Sequence, residues 1–259
     1  MTEIVVFAEH SSDARTICGI ADRILLAHAP ADWDERENVA SPDLARRRTW
    51  VGLDDGATFF DLHHLKARAG TNPRQFVRRP YGESRGYDSA TVRIALQLCV
   101  KRAATRPDTR GLLFIRDLDA QGPERIASAE AASTEAGDAF PALFAWPDPS
   151  TEAWLLHGFI PQNHAETKRL EEERAALHFD PTTASHLLRA ANEGEPRNPK
   201  RVLRVLTDSD NDRVEECWEK TPLQTLRDRG EHSGLRAFFE QVETKLIPLL
   251  PELEQSKRH

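Results

Sequence analysis

Five acidic residues in this 259-residue chain have the type and spacing to bind divalent metal ions: Glu9, Asp13, Asp117, Asp119 and Glu152. Asp117 and Asp119 form an Asp-x-Asp pair, and side chains two positions apart in an extended segment lie on the same face. Asp13 lies one helical turn beyond Glu9. Clustered carboxylates repel one another unless cations neutralise them, and Mg²⁺ (or Mn²⁺) prefers such oxygen ligands. Two such ions can stabilise the attacking and leaving oxygens of a phosphoryl displacement.

The acids follow segments that the sequence predicts to be strands. Residues 4–8, 111–115 and 142–146 are short apolar runs, typical of parallel strands buried on both faces. Helical patterns follow or precede them, beginning at Ser11, Asp88 and Pro123, and this alternation indicates parallel βα units. Because ligands bind at the carboxyl ends of parallel strands, all five acids should converge if the strands are neighbours.

Each acid also has a simpler interpretation. Asp13 and Glu152 could be helix caps, Asp119 a turn residue and Glu9 a solvated residue at a strand end. Acids nevertheless follow three different predicted strands, and this recurrence favours a shared metal site over separate structural roles for each acid.

The chain changes character at about residue 150. Residues 1–150 predict an α/β core with a mostly parallel sheet flanked by helices and an irregular insertion at about 30–86, where a short element around 58–65 is possible. Residues 151–259 predict an all-helical extension packed on that core, with helices at 165–177, 181–191, 199–206, 212–218 and 234–250.

Composition narrows the class of protein. The net charge of -7 argues mildly against a nucleic-acid coat protein but not against a metal-dependent enzyme, since bound cations reverse the local charge. Three widely spaced cysteines favour neither disulfides nor a zinc site. No apolar run approaches the ~18 residues of a membrane span, and no secretory signal is recognisable, so we expect a cytoplasmic protein with no membrane partner.

The order of these motifs resembles the TOPRIM domain of topoisomerases, primases and small nucleases. Residues 7–14 are similar to the opening Glu-Gly-x-x-Glu motif of OLD-family nucleases and of standalone TOPRIM-like proteins in bacterial anti-phage loci, with His10 in place of Gly and Asp13 in place of the second Glu. Further segments match the aspartate strand, a Glu-Ala-Trp-Leu-Leu segment and two helical motifs of that group: 113–119, 152–156, 198–200 and 220–221.

The resemblance implies a TOPRIM-like fold and a metal-dependent nuclease that cleaves DNA or RNA, with DNA favoured, as an effector of anti-phage defence. Glu9, Asp117 and Asp119 would be the catalytic metal ligands, and Asp13 and Glu152 would serve a second metal ion. His10 could shuttle a proton or be a bystander.

Basic side chains would have to hold the nucleic-acid backbone. The candidates are Lys200, Arg85, Arg116 and Arg201, with the Arg46–Arg48 run as a further one. Lys200 is favoured because it opens a predicted helix, whose amide end attracts anions. The alternative for each is a solvated surface charge.

Other functions remain open at this stage. The chain could be a non-catalytic sensor or the partner subunit of an ATPase, and it could form a homodimer. Residues 82–86 match the Gly-x-Ser-x-Gly motif of serine hydrolases around Ser84, but an apolar strand does not precede them.

Overall fold

Five parallel strands form one sheet in the computed structural model of this chain, which describes residues 1–30, 42–70, 88–119, 122–136, 140–250 and 253. The strands are β1 (Thr2–Ala8), β2 (Arg48–Val51), β3 (Phe60–Asp61), β4 (Thr109–Ile115) and β5 (Ala142–Ala145). Their order is β2-β1-β4-β5, and β3 pairs with the second half of β1. The predicted α/β class with a mostly parallel sheet is confirmed.

Helices flank the strands along the chain. They are α1 (Ser11–Ala27), α2 (Pro42–Arg47), α3 (Leu65–Arg68), α4 (Ser89–Thr105), α5 (Gly122–Ala136), α6 (Thr151–His157), α7 (His164–Leu177), α8 (Pro199–Leu206), α9 (Asn211–Glu219), α10 (Leu223–Arg229) and α11 (Leu235–Gln241). In the described part of the chain, no helix has the length and apolar character needed to cross a membrane.

The chain divides into two compact units. The first comprises Met1–Ile115, Gln121–Ala145 and Gln241–His259 and contains the sheet. The second comprises Arg116–Ala120 and Trp146–Glu240, and its regular elements in the described residues are helices.

The central strand β1 is apolar because it is covered on both faces. Residues 4–8 are 0% exposed, as the continuous apolar run predicts. Helix α1 packs on this strand with one apolar stripe, in which Ile17, Ile20 and Ile24 are buried. The three predicted strands and the helix that follows the first of them are therefore confirmed.

The segment predicted to be an irregular insertion contributes two strands to the sheet. β2 pairs with the first half of β1 (Ile4 opposite Trp50), and β3 pairs with the second half (Phe7 opposite Phe60). The expectation of irregular structure is wrong for 48–51 because a strand this short gains its stability from pairing rather than from its own pattern. The element suspected around 58–65 corresponds to β3 and the 3₁₀ turn Leu62–His64.

A buried ion pair ties β2 to α1. Arg48 and Asp22 are 7% exposed each, and their side chains approach to 2.5 Å between Nη2 and Oδ1. The Trp50 indole donates to the same carboxylate, with Nε1 3.0 Å from Oδ1. Arg48, a candidate phosphate ligand as part of the 46–48 run, is instead part of the core.

The C-terminal residues of the first unit protect the edge of the sheet. The Gln241 side chain accepts from the Phe144 amide at 2.9 Å and donates to the Phe144 carbonyl at 2.8 Å, as a neighbouring strand would. The predicted helix 234–250 is divided into α11, a π-helical turn (Val242–Leu246) and a 3₁₀ turn (Ile247–Leu249). The predicted helix 181–191 is wrong, since its regular part is one 3₁₀ turn, Ser185–Leu187.

In the second unit, α6 is anchored at its C-terminal end by buried hydrogen bonds. Trp154 Nε1 donates to the Ser233 carbonyl at 2.7 Å. His157 is 0% exposed, with Nδ1 2.8 Å from the Thr182 carbonyl and Nε2 2.8 Å from Ser233 Oγ. Since Nδ1 faces a carbonyl and must donate, Nε2 accepts from a hydroxyl, with Ser233 Oγ at 2.8 Å and Ser185 Oγ at 3.0 Å, and the ring is neutral. Burial lowers the pKa of His157 to about 4, although its bond to Thr182 opposes the shift.

This neutral ring predicts a pH-dependent stability. The unfolded chain protonates His157 below pH 6.5, but the folded protein does so only near pH 4. The contribution of His157 to the free energy of unfolding is therefore complete above pH 6.5 and is lost as the pH falls from 6.5 to 4. We expect the free energy of unfolding to fall by about 3 kcal/mol over that interval, as measured by urea unfolding at each pH. His157→Gln should flatten this part of the profile, whereas the exposed control His164→Gln should keep it. Identical profiles for wild type and His157→Gln would contradict the assignment.

Candidate active site

The strands that precede the predicted acids are neighbours in the sheet. Phe7 of β1 lies opposite Phe114 of β4, and Ile115 at the end of β4 lies opposite Ala145 at the end of β5. Because all pairings are parallel, the carboxyl ends of these three strands form one edge. Glu9 is the first residue after β1, and Asp117 is the second residue after β4.

In the first unit, Glu9 leads directly into α1. Glu9 is half-buried, and the next residue, His10, is the N-cap of α1 in extended conformation, with its carbonyl accepting from the Ala14 amide at 3.2 Å. Asp13 lies in the first turn of α1, where a negative charge is favourable to the helix. Asp13 therefore has a structural role that a metal ligand would have to share.

Asp61 is a further acid of the first unit that the sequence analysis does not predict as a site residue. Asp61 ends β3, with Ala8 opposite it in β1. Its carboxylate accepts from the His63 amide at 2.8 Å and lies 2.7 Å from His63 Nδ1. Desolvation would raise the pKa of Asp61, but the hydrogen bonds from His63 outweigh it and lower the pKa. The His63 ring in turn lies 6.0 Å from that of His10, between centroids.

In the second unit, the Asp-x-Asp segment runs beside the residues that lead into α6. The Leu118 amide donates to the Pro147 carbonyl at 2.9 Å, and the Asp119 amide donates to the Pro149 carbonyl at 3.0 Å. Asp117 Oδ1 accepts from Thr151 twice, from the amide at 3.0 Å and from the hydroxyl at 3.2 Å. The Asp117 carboxylate thereby satisfies the first amide of α6, one of the donors that a helix N-terminus leaves without an internal partner.

Asp119 has an unusual backbone conformation. Its φ is +50°, in the left-handed region that aspartate tolerates better than most residues with a side chain. This conformation turns the chain at the end of the Asp-x-Asp segment. The structure therefore supports the turn role considered for Asp119 and leaves the metal role as a further hypothesis.

Glu152 lies in the first turn of α6 and has two polar neighbours. Its Oε2 accepts from Ser150 Oγ at 2.6 Å, and its Oε1 lies 4.0 Å from Lys200 Nζ. The Lys200 side chain is 55% exposed, so its ammonium group can also reach an anion from solvent.

The other predicted phosphate ligands differ in their exposure and in the partners that they have within the protein. Arg201 makes a bidentate ion pair with the buried Glu173, with Nη1 2.7 Å from Oε2 and Nη2 2.8 Å from Oε1. Arg116 is half-buried directly after β4, and Arg85 lies outside the described residues. Lys200 is thus the best placed of the described candidates. It lies in the first turn of α8, whose N-cap Asn198 accepts from the Arg201 amide at 3.0 Å.

The donor set of the predicted site consists of carboxylates, which suits Mg²⁺ or Mn²⁺. Glu9 and Asp13 belong to the first unit, and Asp117, Asp119 and Glu152 belong to the second. Within the described residues, no three His, Cys, Asp or Glu side chains are arranged so that they could hold a metal ion. A cation at Asp117 or Glu152 would share oxygens that already accept from Thr151 and Ser150.

The structural role of Asp117 can be separated from any chemical role. Asp117→Ala removes the acceptor of the Thr151 amide, and we expect the free energy of unfolding to fall by about 1 kcal/mol, as for loss of a helix cap. Asp117→Asn keeps an oxygen that can accept and should cost less. Urea unfolding of the two variants measures this difference, and equal stability of the two would contradict the capping role.

Comparison of the chain with models of protein families, with curated proteins and with solved structures gives no match. Any function assigned to it rests on the arrangement of its own side chains and on the resemblance of its motifs.

Proposed function

We propose that this protein is a Mg²⁺- or Mn²⁺-dependent nuclease that cleaves phosphodiester bonds, with Glu9, Asp117 and Asp119 as its catalytic residues. The observation that carries the proposal is the register of the sheet. β1 and β4 are parallel neighbours, and an acidic residue follows each of them within two positions. The resemblance of these segments to TOPRIM-like nucleases supports the same assignment.

In this proposal, Glu9, Asp117 and Asp119 would hold the metal after their side chains move together, since no such group is assembled among the described residues, and Asp13 and Glu152 would hold a second ion. When bound, the metal would polarise the scissile phosphate and make a coordinated water more acidic. Glu9, which is half-buried, would also accept a proton from the attacking water in this proposal.

Lys200 would hold the nucleic-acid backbone. Its ammonium group is exposed and lies in the first turn of α8, where helix amides also favour a phosphate. Arg116 follows β4 directly and would act near the same phosphate. We favour DNA over RNA as the substrate and place the activity in anti-phage defence, both on the family resemblance.

One observation favours the alternative, a non-catalytic sensor or partner of an ATPase. Lys200 approaches Glu152 to 4.0 Å, and an ammonium group can neutralise a carboxylate where a metal ion would otherwise be needed. In such a protein, Glu152 would stabilise α8 rather than bind a metal.

Cleavage of plasmid and of single-stranded oligonucleotides tests the proposal. Wild-type protein should cleave with Mg²⁺ or Mn²⁺ and not with EDTA. Asp119→Asn, Glu9→Gln and Asp117→Asn should each lower the rate by on the order of 10²-fold or more, since each removes a charge that acts in the reaction. Lys200→Ala should raise KM more than it lowers kcat, because Lys200 would bind substrate rather than the reacting water.

The matched control is Glu171→Gln, which removes an exposed carboxylate of α7 and should leave the rate unchanged. Cleavage that persists in EDTA, or that survives in both Glu9→Gln and Asp119→Asn, would rule out the proposed site. Absence of cleavage by wild-type protein on every substrate would favour the non-catalytic alternative.

A further inference from the structure

An aspartate and a histidine of the first unit form a hydrogen-bonded pair at the carboxyl edge of the sheet. Asp61 ends β3, which runs beside the second half of β1, and Glu9 is the first residue after β1. His63 lies in the 3₁₀ turn that follows Asp61, and its ring is 6.0 Å from that of His10, between centroids. Since His10 is the next residue after Glu9, the His63 ring lies at the same strand end as the proposed proton acceptor.

Asp61 holds the His63 ring in one orientation and one tautomer. Its Oδ1 lies 2.7 Å from Nδ1 of the ring and also accepts from the His63 amide at 2.8 Å. Desolvation raises the pKa of Asp61, but the hydrogen bonds from His63 and the charges of His63 and His64 outweigh it and lower the pKa, so the carboxylate is ionised at neutral pH. Because an ionised carboxylate only accepts, Nδ1 carries a hydrogen. Nε2 is then the ring atom that gains and loses a proton.

The Nε2 atom of His63 is open to a substrate. The His63 side chain is 59% exposed, and among the described residues its Nε2 has no hydrogen-bond partner. The two nearby histidines lack the same support. His64 Nε2 is 3.8 Å from Asp61 Oδ2, which is beyond hydrogen-bond distance, and the described residues offer His10 no carboxylate partner. His63 is therefore the histidine of this group that is oriented for proton transfer, as an aspartate orients the histidine of a catalytic triad.

We propose that His63 donates a proton to the leaving oxygen of the scissile phosphate, with Asp61 as its positioning residue. This role rests on the nuclease function proposed above. Glu9 takes a proton from the attacking water as the new phosphorus–oxygen bond forms, and the proton on His63 Nε2 passes to the leaving oxygen as the old bond breaks. Asp61 stabilises the imidazolium before the transfer. Solvent then takes the proton from Glu9 and returns one to His63, so the protons balance.

An oligonucleotide with sulfur in place of the leaving oxygen at one bond tests this role. The ends of the wild-type products show which oxygen leaves, and Mn²⁺ is the metal ion for both substrates. An alkoxide needs a proton to leave, whereas thiols ionise at about pH 8.5, so a thiolate leaves without one. His63→Gln should slow cleavage of the oxygen bond on the order of 10²-fold or more and leave cleavage of the sulfur bond close to the wild-type rate.

The matched control is His64→Gln, which changes the neighbouring exposed histidine and should cleave both substrates as the wild type does. Nuclear magnetic resonance of ¹⁵N in the histidine rings tests the role of Asp61 without any cleavage, with the His63 signals assigned by their loss in His63→Gln. Neutral His63 should carry its hydrogen on Nδ1 in the wild type. Asp61→Ala should move it to Nε2, while circular dichroism shows that the fold is retained.

The proposal is overturned if His63→Gln cleaves the oxygen bond at the wild-type rate, if it slows both substrates equally, or if neutral wild-type His63 carries its hydrogen on Nε2. Failure of the nuclease proposal gives a different pattern, because the wild type then cleaves neither substrate although the spectra show the Nδ1 tautomer. In that case the role of His63 in cleavage is rejected as well.

Discussion

The Asp117 carboxylate couples two parts of the second unit on which the candidate site depends. By accepting from the Thr151 amide and hydroxyl, it fixes the start of α6 beside the segment that leaves β4. Glu152 is the next residue of that helix, so its position follows from the same contact. The other end of α6 is held at Ser233 through Trp154 and His157. Three of the proposed ligands, Asp117, Asp119 and Glu152, thus lie on a segment and a helix that these hydrogen bonds hold in place, which is the support that a precise site requires.

The sheet supplies a comparable constraint in the first unit. β1 has neighbours on both sides and buried residues on both faces, so a one-residue slip would disrupt every contact at once. Glu9 follows β1 directly, so the register of the strand also fixes its backbone position. Helix α1 begins immediately after His10. At the β5 edge of the sheet, the Gln241 side chain forms hydrogen bonds with the backbone amide and carbonyl of Phe144. Glu9 therefore follows a strand whose register is fixed by neighbours on both sides.

Sequence patterns predict the parts of this fold in which local signals and burial agree. The runs 4–8 and 111–115 are strands, and the helix after the first strand has its apolar stripe on the sheet. The missed elements depend on partners that are distant in sequence. β2 and β3 are too short to show a period. The Arg48–Asp22 pair joins residues from two elements, so the sequence alone indicates only a phosphate ligand or a surface charge at Arg48. The sequence does not single out Asp61, because it predicts an irregular segment with only a possible short element around that residue. For the candidate site, the sequence predicts that acids follow the strand ends. It does not predict that β1 and β4 are neighbours, nor the hydrogen bonds of Asp117 or the Glu173 partner of Arg201.

The central claim is that Glu9 and the Asp117–Asp119 pair bind the same metal ion. Mn²⁺ titration followed by electron paramagnetic resonance measures this directly, because free and bound Mn²⁺ give distinct signals without any substrate. The account predicts that Glu9→Gln and Asp119→Asn each weaken the same class of bound Mn²⁺ and that the double variant is little weaker than the single variants. Wild-type affinity in Glu9→Gln, with binding lost only in Asp119→Asn, would contradict a shared ion and leave Glu9 outside the site.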